Sequence, residues 1–103
     1  MSNQRTFNSF SKFYPYYLEE HSDATCRRLH FVGSLLVLLV AVWAITSGKL
    51  AWLLTLPVIG YGFAWAGHFM FEKNRPATFR YPLYSLMGDW VMFRDILIGR
   101  IRF

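Results

Sequence analysis

Three histidines and a glutamate stand where hydrophobic runs meet polar sequence: His21 and His30 lead into the first run, and His68 closes the second with Glu72 just beyond it. Ionisable side chains at membrane depth are uncommon and tend to mark a site. Imidazoles and a carboxylate drawn to one point suit a divalent transition metal, and two histidines with one carboxylate and open positions are the pattern of non-haem Fe(II) oxygenases. Other readings stay open. His30 and His68 could hydrogen-bond backbone or headgroups, and His21, next to Glu19 and Glu20, could be an ordinary exposed side chain. Glu72, near Lys73 and Arg75, could form a solvated ion pair of small energetic value. Haem held between His30 and His68 is not expected, because two closely packed helices leave little room for a macrocycle.

The elements that must position these groups are apolar. Leu29 to Thr46 contains no charge, and after Ser47, Gly48 and Lys49 a second uncharged run extends from Leu50 to Phe71. As helices they would span about 27 and 33 Å, bracketing a hydrocarbon core of roughly 30 Å. With 54% hydrophobic and 19% aromatic residues against 17% charged, the chain is too oily for a small soluble domain, and it is too short to cover two buried helices. The expected fold is all-α and a single membrane domain over 1–103: a transmembrane hairpin with helices over 23–46 and 50–72, flanked by interfacial amphipathic segments over 7–20 and 83–98.

Charge sets the expected topology. Arg5, Lys12, Arg27 and Arg28 precede the first run, six more basic residues follow the second, and Lys49 alone lies in the turn. By the positive-inside rule both termini are cytoplasmic; a bacterial inner membrane and the endoplasmic reticulum are not distinguished. The net charge of +5 then reads as topology and attraction to anionic headgroups rather than nucleic-acid binding. The first run begins nearly thirty residues in and lacks a small-residue cleavage site, so the whole chain is expected to be retained. A single cysteine, Cys26, excludes an internal disulfide framework and a zinc-ribbon signature.

In the N-terminal flank Phe7, Phe10, Phe13, Tyr14, Tyr17 and Leu18 recur at helical steps, with Pro15 expected to break the segment in two and Ser22 or Asp23 to cap the first membrane helix. Beyond Pro82, Leu83, Leu86, Trp90, Phe93, Leu97 and Ile101 share a face, with Ser85, Asp89, Asp95 and Arg102 elsewhere. Both flanks read as aromatic anchors or as a roof over a cavity.

Counting from the turn at Gly48, His30 lies 18 residues back and His68 lies 20 on, rises of about 27 and 30 Å that put both at one depth. Asp23, Cys26, His30, Gly33 and Val37 make a narrow stripe on the first helix, and Gly60, Ala64, Gly67 and His68 make one on the second. Small residues at such spacing let helices approach closely in lipid. If the stripes face each other, His30 and His68 meet with Glu72 beside them. His21 is out of phase with His30 and joins only if the chain bends near Ser22 and Asp23. Pro57 is expected to kink the second run, and Asn74 and Pro76 to shape the turn that ends it.

Three blocks, Phe13-Tyr14-Pro15-Tyr16-Tyr17-Leu18-Glu19-Glu20-His21, Arg28-Leu29-His30-Phe31-Val32-Gly33 and Gly67-His68-Phe69-Met70-Phe71-Glu72-Lys73-Asn74-Arg75-Pro76-Ala77, resemble the signatures of a small membrane-protein family long labelled a domain of unknown function. Its best-understood members are fungal 2-hydroxy fatty acid dioxygenases of phytosphingosine breakdown, and the resemblance covers about Phe7 to Asp89. It implies an Fe(II)-dependent enzyme that shortens a long-chain 2-hydroxy fatty acid by one carbon, with His21, His30 and His68 as metal ligands. This chain is more compact than the eukaryotic members and has no histidine after His68. Such a substrate can chelate iron through its carboxylate and hydroxyl while its tail stays in the bilayer, and Arg28 or Arg75 could grip the carboxylate with a bidentate fork. The competing class is a non-enzymatic lipid-binding or assembly protein with structural histidines. Two helices offer little interior, so a homodimer is reasonable, although no residue selects it.

Overall fold

The computed structural model describes residues 6–103, so Arg5 lies outside the described residues. Four α-helices follow in order: α1 (Phe10–Glu19), α2 (Ala24–Ser47), α3 (Leu56–Ala66) and α4 (Pro82–Leu97). A 3₁₀ stretch over Leu50–Thr55 leads into α3, a π-helical turn over Gly67–Glu72 continues it, and a short 3₁₀ turn covers Ala77–Phe79. The described residues contain no strand.

The hairpin forms where the sequence places it. Asp23 caps α2 by accepting from the Cys26 N–H at 3.0 Å, and Gly48, at φ 74°, ends it in the left-handed conformation that glycine adopts without strain. Two spans, Ala24–Ser47 and Leu50–Glu72, are long and apolar enough to cross a membrane. Their outer faces stay uncovered: Leu54 is 81% exposed and Val58 74%. Thr46, Ser47 and Thr55 turn their hydroxyls onto carbonyls of their own helical segments, which satisfies them without water. The two small-residue stripes do meet. A Cβ on Gly67 would stand 2.9 Å from Cys26 Sγ and 3.2 Å from the Cys26 Cα, so the backbones touch at a place only glycine permits.

One expectation about proline needs correction. Pro15 does not divide the N-terminal segment: α1 runs through it. Phe13 and Tyr17, both fully buried, pack with Ala77, Met92 and Ile96 into an aromatic core, and this packing outweighs the missing hydrogen bond. Pro57 sits in the first turn of α3, directly behind the 3₁₀ stretch, where the absent N–H has no partner within α3 to lose.

The helix α4 packs on α1 and α2 at the histidine end of the hairpin, with Phe31 and Phe93 rings stacked at 4.7 Å. Ser85, Gly88, Met92, Phe93, Asp95 and Ile96 are buried, while Leu83 and Leu97 are 75% and 62% exposed. Ser85 and Asp95 face the protein together with Met92, Phe93 and Ile96, while Leu83 and Leu97 face outward, which suits lipid as solvent.

Candidate metal centre

His21, His30 and His68 converge, all buried, with one ring nitrogen of each within 4.8 Å of the others. Each arrives on a different element. His30 projects from the second turn of α2, and His68 from the π turn, a winding that recurs at functional sites. His21 reaches them because the chain bends between α1 and α2, where the Arg27 guanidinium clamps the bend by donating to the carbonyls of His21 at 3.1 Å and Ser22 at 2.8 Å.

Every Nδ1 is spoken for. That of His21 lies 2.6 Å from the Tyr17 carbonyl and that of His30 2.9 Å from the Cys26 carbonyl. A carbonyl only accepts, so both Nδ1 atoms carry the proton. The Nδ1 of His68 lies 2.7 Å from Asn74 Oδ1. The Asn74 amide is oriented by its Nδ2, which donates to the Glu20 carbonyl and carboxylate at 3.2 and 3.3 Å, so His68 is again the donor. Lys73, at φ 59°, closes the π turn and brings the Asn74 N–H onto the His68 carbonyl at 3.1 Å.

With each proton on Nδ1, three Nε2 lone pairs face one another: His21 to His30 at 3.1 Å and His21 to His68 at 2.9 Å. Burial, reinforced by the neighbouring His30 and His68, lowers the His21 pKa well below the ordinary imidazole value, so this ring is neutral. Neutral lone pairs cannot hydrogen-bond to each other, and one cation satisfies all three. Two nitrogens about 2.1 Å from one ion stand about 3.0 Å apart when their bonds are at right angles, close to both separations. The three nitrogens would fit a single metal ion. An ion-sized void of about 10 Å³ touches all three histidines.

Glu72 is not among these groups. Its carboxylate accepts from the Asp23 N–H and, at 3.4 Å, from the Ser22 hydroxyl, where it serves the N-terminus of α2. An α-helical extension would place it one turn beyond His68; the wider π winding swings it toward α2 instead. Arg28 is exposed, donates to the Phe103 carbonyl at 3.0 Å and lies over its ring; Arg75 is exposed as well. Neither borders the cavities beside the histidines.

Sequence reasoning missed the contribution of α4. Asp89 and Ser85, one turn apart, border the small void. The Tyr17 hydroxyl donates to Asp89, and the Tyr17 ring stacks on His21 at 4.0 Å. Burial raises the Asp89 carboxyl to about 6 although the Tyr17 hydrogen bond opposes the rise; burial, then the Asp89 charge, raises the Tyr17 phenol. Ser85 Oγ is buried and has no hydrogen-bond partner among the described residues. The available signal was a serine and an acid at i, i+4 on a membrane-associated helix, since such groups turn inward.

A second cavity, of about 240 Å³, shares His30, Tyr61, Ala64 and Asp89 with the first and continues between α2 and α3 to Leu56 and Pro57. The site therefore joins an ion-sized polar end to an apolar extension. Searches of curated proteins and of solved structures find no match. A family model does match, over residues 7–101, and its description is 2-hydroxy-palmitic acid dioxygenase Mpo1-like. Because that match takes in all three histidines and nearly the whole chain, the protein belongs to the Mpo1-like family.

Proposed function

We propose that the protein is a membrane-embedded, Fe(II)-dependent dioxygenase that shortens a long-chain 2-hydroxy fatty acid by one carbon, with both termini cytoplasmic. The observation that carries this reading is the convergence of three Nε2 lone pairs beside an apolar cavity that reaches His30. His21, His30 and His68 would hold the iron, which when bound supplies a Lewis acid for the substrate's oxygens and electrons for dioxygen. Three neutral imidazoles leave the ion's charge uncompensated, which favours an anionic substrate. Conversion of RCH(OH)COOH with one O₂ to RCOOH, CO₂ and water balances without further reductant, since the two carbons give up the four electrons that dioxygen takes.

The protein's own groups supply binding and proton handling. Asp89, beside His30, accepts a hydrogen bond from the 2-hydroxyl and takes its proton; the Tyr17 hydroxyl holds that carboxylate in place. Ser85 offers the substrate carboxylate a hydroxyl that nothing else uses. Tyr17, Cys26 and Asn74 fix the three rings in the tautomer that leaves Nε2 free.

The test is metal analysis with oxygen uptake. Protein stripped by chelator and reloaded with Fe(II) without air should hold one iron per chain, consume oxygen with a long-chain 2-hydroxy acid, and release the acid one carbon shorter. His30→Ala and His68→Ala should each lose the iron. Iron absent from the parent, or retained by both variants, would refute the proposal; binding of the acid without oxygen uptake would support the lipid-binding alternative instead.

A further inference from the structure

The cavity that leaves the histidines has the form of a site for one hydrocarbon chain. It is lined by His30 and Asp89 beside the centre and by Leu56 and Pro57 away from it. From Ala64, beside the centre, to Leu56 is eight residues of helical chain, or about 12 Å. Val37 and Gly60 face each other across the middle, and Leu86 and Trp90 cover it from α4.

Gly60 differs from the other glycines of the hairpin interface. A Cβ on Gly33 would stand 2.7 Å from Phe63 Cβ and one on Gly67 2.9 Å from Cys26 Sγ, so these two permit helix approach. A Cβ on Gly60 would meet only Val37 Cγ2, at an ordinary 3.6 Å. The missing side chain at Gly60 leaves room in the cavity. That room lies four residues from Ala64, halfway to Leu56.

We infer that the α2–α3 cavity holds the acyl chain of the 2-hydroxy acid, and that Gly60 is the residue whose bareness admits chains beyond about half the channel. The inference rests on the function proposed above for the head of the substrate, while the tail site stands on cavity shape and lining. Leucine at Gly60 fills the channel's middle without touching a histidine, Asp89 or Ser85. Each methylene denied burial weakens binding roughly fourfold, so excluding even two of them from the far half costs long acids about tenfold or more.

The experiment uses the full chain in lipid nanodiscs and a long-chain 2-hydroxy acid carrying a diazirine near its tail. Light should attach the probe to peptides containing Val37 and the Leu56–Tyr61 stretch, excess unlabelled 2-hydroxy acid should suppress the labelling, and Gly60→Leu should reduce it about tenfold with the iron content unchanged. Gly60→Ala should keep most of the labelling and serves as the control for folding. Oxygen uptake across a chain-length series should shift toward short acids in Gly60→Leu. Labelling confined to the outer face of α4, labelling that the unlabelled acid does not suppress, or equal labelling of Gly60→Leu and parent would overturn the inference. Specific labelling of the channel without any oxygen uptake would keep the tail site and remove the oxygenase reading, so the two fail separately.

Discussion

Replacing Asp89 with asparagine should stabilise the metal-free protein at neutral pH and at the same time abolish turnover. Burial moves the Asp89 carboxyl from 3.8 to about 6 in the folded protein, against the hydrogen bond from Tyr17. A folded state that holds a proton more tightly than the unfolded chain loses stability as pH rises through the interval between the two values. The full effect amounts to up to about 3 kcal/mol, lost between about pH 4 and pH 6 and not recovered above. Asparagine cannot ionise and keeps an oxygen for the Tyr17 hydroxyl, so the variant escapes this loss. Variant and parent should be nearly equal at about pH 4, and the variant should be ahead by roughly 1 to 3 kcal/mol at about pH 7.5, the lower figure allowing for screening through the cavity. Denaturant titrations of chelator-treated protein in mild detergent measure the gap. A divalent cation should narrow it, because positive charge beside Asp89 favours the carboxylate. A gap of the same size at both pH values, or a variant less stable than the parent near neutrality, would refute the reasoning.

Three further outcomes follow from the same geometry. Asn74→Ala leaves the His68 Nδ1 without its acceptor and should weaken metal binding about 10- to 100-fold, measured by competition with a chelator of known affinity. Gly67→Ala pushes a methyl into Cys26, whose backbone cannot yield cheaply; it should cost roughly 1–3 kcal/mol of stability and separate His68 from His30, read as lost metal stoichiometry. Ser85→Ala removes a buried hydroxyl that has no partner among the described residues, so stability should hold or rise by about 1 kcal/mol, while KM for the 2-hydroxy acid rises several-fold with kcat nearly unchanged; an unchanged KM removes Ser85 from the substrate site.

Much of the centre was legible because helical rise is regular. Counting from Gly48 placed His30 and His68 at one depth, and the glycine and alanine stripes named the faces that meet. His21 was not reachable by periodicity, since it depends on a bend fastened by Arg27, a contact between side chain and backbone that leaves no repeat in the sequence. Glu72 was misplaced because the π turn is invisible to a count that assumes α-helical winding. The polar face of α4 escaped for a different reason. The apolar stripe reads as an anchor or a cavity roof and leaves Ser85 and Asp89 without a role, whereas both border the void at the centre.

The groups that close the centre come from distant parts of the chain: His21 and His68 are 47 residues apart, Tyr17 and Asp89 72, and Tyr14 and Asp95 81. The hairpin and the His21–His68 contact need only the chain through the second span, whereas the Tyr17–Asp89 and Tyr14–Asp95 links wait for α4, and contacts of long separation form late. Assembly is therefore ordered, with α2 and the second span pairing first and α4 then joining α1 over their end. A chain made only through the second span already carries all three histidines, and the last helix then brings Ser85 and Asp89 to their border.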